Sequence, residues 1–132
     1  MAKLTQEMKD MIGTQQCFIG TVSKTGIPNV APKRSTRVFD DETLIFSEGT
    51  CGATYQNIID GSMVSIAIVN RETLDGYRFA GNAKMQSNGE IYEKAAEISK
   101  ANGMPAPKAI VLIPVEEIHS LKPGPTAGKK IS

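Results

Sequence analysis

Residues 29–61 constrain the fold more than any other stretch of this chain. An extended segment, Ala31-Pro32-Lys33-Arg34-Ser35-Thr36-Arg37-Val38-Phe39, ends at the turn signal Asp40-Asp41. An apolar strand, Leu44-Ile45-Phe46-Ser47, follows and runs through Glu48-Gly49-Thr50-Cys51-Gly52-Ala53-Thr54 into the start of a short helix. Three cations on one strand and a Gly/Thr-rich helix start on the next suggest an anion site. A helix start offers unpaired N–H groups and the positive end of the macrodipole, while arginine supplies a fixed fork of donors.

The rest of the chain supplies strands rather than a regular strand-helix alternation. Leu4, Met8, Met11 and Ile12 fall on one helical face, with Thr5 as N-cap and Gly13 as the stop. Residues 16–23 read as a strand, and Lys24-Thr25-Gly26-Ile27-Pro28 as the turn into the cationic segment. Residues 54–60 carry Tyr55, Ile58 and Ile59 on one helical side and stop at Gly61; Val64, Ile66 and Ile68 then line one face of a central strand. Residues 77–87 read as one extended segment, in which Gly81 marks a bulge or a close backbone approach. A helix with Ile91, Ala95 and Ile98 inward precedes a final strand, residues 109–115, that Pro114 marks as edge or bulged. The expected fold is mainly β with some α: a six-stranded antiparallel split β-barrel with short flanking helices. Residues 1–121 form the domain, and the Gly/Pro/Lys-rich residues 122–132 a tail without regular structure.

Charge and cysteine usage narrow the function classes. Fifteen Lys and Arg against fourteen Asp and Glu leave the chain near neutral, so any positive site is local and no nucleic-acid footprint is indicated. Three tyrosines and no tryptophan provide little for base stacking. Cys17 and Cys51 form no metal-ligand or redox pair and fit a reducing cytoplasm; no segment has the length of a membrane span. Cys51 before a helix start is a conceivable nucleophile, but no histidine lies near it in sequence. His119 is the only histidine, so no metal site is expected and a surface position is. Gly124-Pro125-Thr126-Ala127-Gly128-Lys129 imitates a phosphate-binding loop, yet it is one residue short and no helix follows.

Taken in order, Gly26-Ile27-Pro28, Pro32-Lys33-Arg34-Ser35, Leu44-Ile45-Phe46-Ser47-Glu48, then Gly52, Thr54, Asn57 and Ile58, then Gly61-Ser62-Met63-Val64-Ser65-Ile66, resemble a known pattern. It is that of the FMN-binding split barrel of pyridoxamine 5'-phosphate oxidase-like proteins. Among these the chain is most similar to the small predicted flavin-nucleotide-binding proteins, whose tails share the pattern of Pro123-Gly124 and Ala127-Gly128-Lys129.

The resemblance implies a homodimer with FMN at the subunit interface. It places Pro32, Lys33, Arg34 and Ser35 at the isoalloxazine edge and Arg37 near the ribityl phosphate. Ser47 and Glu48 would lie beside the ribityl chain, Gly52, Ala53 and Thr54 in the phosphate loop, and Asn57 on the helix that follows. It implies an oxidoreductase or electron-transfer flavoprotein, with NAD(P)H or a protein as electron donor; no catalytic side chain is identified. A non-catalytic flavin-binding or sensing module is the alternative, and a nucleic-acid-binding barrel a more remote one. Two departures matter. Thr54 stands where the oxidases carry a phosphate-binding lysine, and the Arg-x-His pair that holds their pyridoxal phosphate is absent. True pyridoxamine 5'-phosphate oxidase activity is therefore not expected.

Overall fold

Thr5 sets the entry to the first helix, α1 (Gln6–Thr14). Its hydroxyl accepts from the Met8 N–H at 3.2 Å, and the Met8 sulfur accepts from the Thr5 N–H in return. The helix runs one residue past the expected stop at Gly13 and buries Met8, Met11 and Ile12. The computed structural model describes residues 1–132.

Nine strands follow: β1 (Cys17–Val22), β2 (Pro28–Pro32), β3 (Arg37–Asp40), β4 (Thr43–Glu48), β5 (Met63–Asn70), β6 (Asp75–Asn82), β7 (Lys84–Gln86), β8 (Ala109–Pro114) and β9 (Glu117–Ser120). Helix α2 (Ala53–Ile59) follows β4, and α3 (Glu90–Ala101) follows β7. All pairings are antiparallel, in two sheets of order β2-β1-β5-β6-β9 and β3-β4-β8-β7. Ile19, Ile66, Ile68, Phe79 and Ile118 of the first sheet share one core with Leu44, Phe46, Val111 and Ile113 of the second. This is the antiparallel split-barrel architecture that the sequence indicates, built from nine strands rather than six.

The difference in strand number has local causes. The expected single strand over residues 31–39 is broken, because the Thr36 N–H and hydroxyl both turn back onto the Lys33 carbonyl, at 3.1 and 2.8 Å. Its two halves enter different sheets: β2 pairs with β1, and β3 with β4. Residues 77–87 likewise divide between β6 in one sheet and β7 in the other. At this crossing a Cβ on Gly81 would meet the Pro114 carbonyl oxygen at 2.1 Å, the close backbone approach expected there. The third addition is β9, which follows the last expected strand, residues 109–115, and precedes the tail.

Other expectations are corrected in detail. Strand β8 is interior, between β4 and β7; Pro114 fits because β7 covers only Ile110 to Leu112 and makes no demand on the missing N–H. On α3, Ala95 is buried while Ile98 is exposed; on α2, Ile59 is exposed and Thr54, Asn57 and Ile58 are buried. Residues 122–132 are not wholly irregular. They turn back along β9, where Ser120 N–H donates to the Lys129 carbonyl and Ile131 N–H to that of Ile118, so the tail covers that sheet edge.

Candidate functional site

A cleft of about 680 Å³ lies between α1 and the connection from β2 to β3. One wall carries Lys33, Arg34 and Arg37, and the other Gln6, Lys9 and Asp10 of α1. The turn at Lys33 to Thr36 creates the cationic wall by taking the chain from one sheet to the other across the cleft mouth. Neither Arg34 nor Arg37 is ion-paired with a carboxylate. Arg34 is exposed; Arg37 is half-buried and donates from Nη1 to the Ser35 carbonyl at 2.8 Å. Burial lowers the Arg37 pKa from its ordinary high value, a direction that makes an anionic neighbour favourable.

Lys33 is engaged differently. Its Nζ donates to Glu48 Oε1 at 2.9 Å and lies 5.9 Å from the centre of the Phe46 ring. Glu48 is fully buried, and its Oε2 accepts from Thr50 N–H (3.0 Å), the Thr50 hydroxyl (3.2 Å) and Cys51 N–H (3.1 Å). Burial alone pushes this carboxyl's pKa up, but the bonds from Lys33, Cys51 and Thr50 together hold it below the usual carboxylate range.

The remaining predicted residues are placed as follows. Pro32 ends β2, exposed and opposite Phe18. Ser35 and Ser47 are joined by their own hydrogen bonds. Gly52 caps α2 without a side-chain bond, and Ala53 opens the helix, exposed. Thr54 and Asn57 are buried; the Thr54 hydroxyl accepts from Asn29 Nδ2 at 3.1 Å, and Asn57 Nδ2 donates to the Thr21 hydroxyl at 3.0 Å. The structure thus gathers Lys33, Arg34 and Arg37 into one cleft, while Pro32, Ser35, Ser47, Glu48, Gly52, Ala53, Thr54 and Asn57 do not line it.

The α1 wall was missed by sequence reasoning. Its signal was the polar face Gln6, Lys9 and Asp10 opposite the buried Met8, Met11 and Ile12, but nothing in the pattern says which strand that face meets. Cys17 borders the cleft as a buried thiol whose pKa burial raises to about 11, which leaves it unreactive. Cys51 is exposed, in a left-handed conformation at φ 52°. His119 is half-buried on β9 rather than on the open surface, and its Nδ1 is buried without a partner. No group of three His, Cys, Asp or Glu side chains is placed to hold a metal ion, and no helix is long and apolar enough to cross a membrane.

Two antiparallel sheets sharing a core, with a cationic cleft at one margin, define a split-barrel domain. Residues 4–122 match the family model described as pyridoxamine 5'-phosphate oxidase, and the chain belongs to that family. It is 46% identical to HupZ of Group A Streptococcus, whose crystal structure superposes with a TM-score of 0.86 over 95% of this chain and 99% of that one. An uncharacterized protein of Methanocaldococcus jannaschii is 35% identical over 135 residues, covering 100% of this chain and 90% of the relative. An FMN-binding protein of Syntrophomonas wolfei, 16% identical, shares the fold with a TM-score of 0.69 over 86% of this chain and 82% of its own.

Proposed function

We propose that this protein binds FMN and acts as an oxidoreductase or electron-transfer flavoprotein, not as a pyridoxamine 5'-phosphate oxidase. The observation that carries the reading is the unpaired pair Arg34 and Arg37 on the wall of a cleft of about 680 Å³. That volume is in the range of cofactor sites, and two guanidinium groups suit a phosphate ester. Membership of the pyridoxamine 5'-phosphate oxidase family, and a fold shared with an FMN-binding protein, support the same conclusion.

FMN bound here would supply the redox chemistry, while the protein supplies binding, orientation and electrostatics. Arg37 holds the phosphate end, with Arg34 beside it at the mouth. Thr36 and Val38 continue the wall, and Gln6 and Asp10 offer polar groups from α1. The active form is a homodimer in the cytoplasm, with the flavin at the subunit interface. The outward face of the five-stranded sheet supports a partner, since Phe18, Val22, Val30, Met63 and Val69 are exposed on it.

A specific observation favours a second reading, a non-catalytic flavin-binding or sensing module. No histidine borders the cleft, and the Cys17 thiol is held protonated. Fluorescence titration with FMN separates these possibilities from failure of both. Quenching with saturation supports the flavin reading, and bleaching of the bound flavin by NADH or NADPH supports a reductase. A protein that leaves the FMN signal unchanged at high concentration rejects both.

A further inference from the structure

We propose that Glu48 competes with an anionic ligand for Lys33, so that a buried carboxylate sets how tightly the cleft holds a phosphate. Lys33 belongs to two places at once: it lines the cleft beside Arg34 and Arg37, and its Nζ rests on Glu48 Oε1 at 2.9 Å. Its side chain is 13% exposed, whereas that of Glu48 is 0% exposed, so of the two only the lysine keeps surface that a ligand can touch.

If the lysine turns to a ligand, Glu48 loses one donor and keeps three. Lys33 is the only donor to Oε1, while Oε2 keeps Thr50 N–H, the Thr50 hydroxyl and Cys51 N–H. A carboxylate with two backbone N–H donors remains stable as an anion. The lysine ammonium, on a flexible four-carbon stem, exchanges one anionic partner for another with little rearrangement. Glu48 is therefore a built-in rival: it neutralises one of the three cations of the wall until a ligand outbids it. This rests on the proposed anion site, and on the flavin reading only for the ligand's identity.

The test compares wild type with Glu48→Gln, using inorganic phosphate, FMN and riboflavin as probes. Removing the rival charge frees Lys33, so phosphate and FMN bind about tenfold more tightly and riboflavin, which lacks the phosphate, does not change. A folded variant with unchanged or weaker phosphate binding overturns the proposal. Should the variant not fold, wild-type protein labelled with ¹⁵N and ¹³C decides. Phosphate shifts the Lys33 Nζ and Glu48 carboxyl resonances if the lysine is shared; resonances that stay fixed, with phosphate bound or not, overturn it. A variant that gains phosphate affinity while neither protein binds FMN upholds the role of Glu48 and rejects the flavin reading. FMN binding in both proteins, with neither FMN nor phosphate affinity changed by Glu48→Gln, does the reverse.

Discussion

Ser35 and Ser47 exchange two hydrogen bonds where the β3–β4 pairing would continue: the Ser47 N–H donates to Ser35 Oγ at 2.8 Å, and that hydroxyl donates to the Ser47 carbonyl at 3.2 Å. One side chain thus does for the β2–β3 connection what a strand ladder does elsewhere. It pins the cationic wall to the end of β4, where Glu48 follows. Ser35→Ala leaves both Ser47 groups without that partner, and the expected loss is about 1–2 kcal/mol of stability. Urea unfolding measures it. A variant as stable as wild type would show that the hydroxyl is free to serve a ligand instead.

Arg37 and Thr54 were both candidates for the phosphate, and the structure separates their surroundings. Arg37 borders the cleft without a carboxylate partner, whereas Thr54 is buried and accepts from Asn29. Arg37→Ala should weaken FMN by roughly tenfold or more, the scale of one lost charge-assisted bond, with riboflavin much less affected. Thr54→Ala should act first on stability, by about 1 kcal/mol through the lost tie between α2 and β2. Paired titration and melting of the two variants checks this. Equal FMN affinity in wild type and Arg37→Ala removes Arg37 from the site.

These contrasts mark what the sequence could and could not convey. Strand periodicity around Val64, Ile66 and Ile68, and the capping pattern at Thr5, are local signals, and both elements lie where they indicate. The break at Lys33 to Thr36 was illegible because it depends on the Thr36 N–H and hydroxyl both choosing one backbone carbonyl over solvent or a strand partner. The cationic wall was readable as a run of charges. Its pairing with Glu48 was not, since the two residues meet through sheet topology rather than spacing. The α1 wall was hidden for the same reason: a polar helix face looks the same whether it meets water or a cleft.

Among the glycines, Gly81 makes the tightest approach to another backbone segment. A Cβ there would stand 2.1 Å from the Pro114 carbonyl oxygen and 3.2 Å from Ile113 Cγ2. The obstruction is backbone, which cannot rotate aside, so β6 and β8 would have to separate. Gly81→Ala should cost about 3 kcal/mol or more, at or above the upper end of ordinary overpacking. Gly13→Ala, where nothing lies within 4 Å, is the control and should be neutral or slightly stabilising. Equal melting temperatures for the two variants would contradict the crossing geometry.

Cys17 makes one contribution to stability that is lost at alkaline pH. Its thiol is buried at the start of β1, and burial raises its pKa from 9.0 to about 11. The sign follows from which state ionises first. Between pH 9 and 11 the unfolded chain loses this proton while the folded chain keeps it, so stability is full below about pH 9 and falls as pH rises through the folded value. Over that interval the loss from this one group is about 2–3 kcal/mol. Cys17→Ala shifts the overall level of stability but removes this slope. Urea unfolding of both proteins under reducing conditions from pH 8 to 11 measures the difference between their slopes, which cancels the tyrosine and lysine titrations common to both. Parallel curves would mean that the thiol ionises in the folded chain as readily as in the unfolded one, and that the base of the cleft admits water.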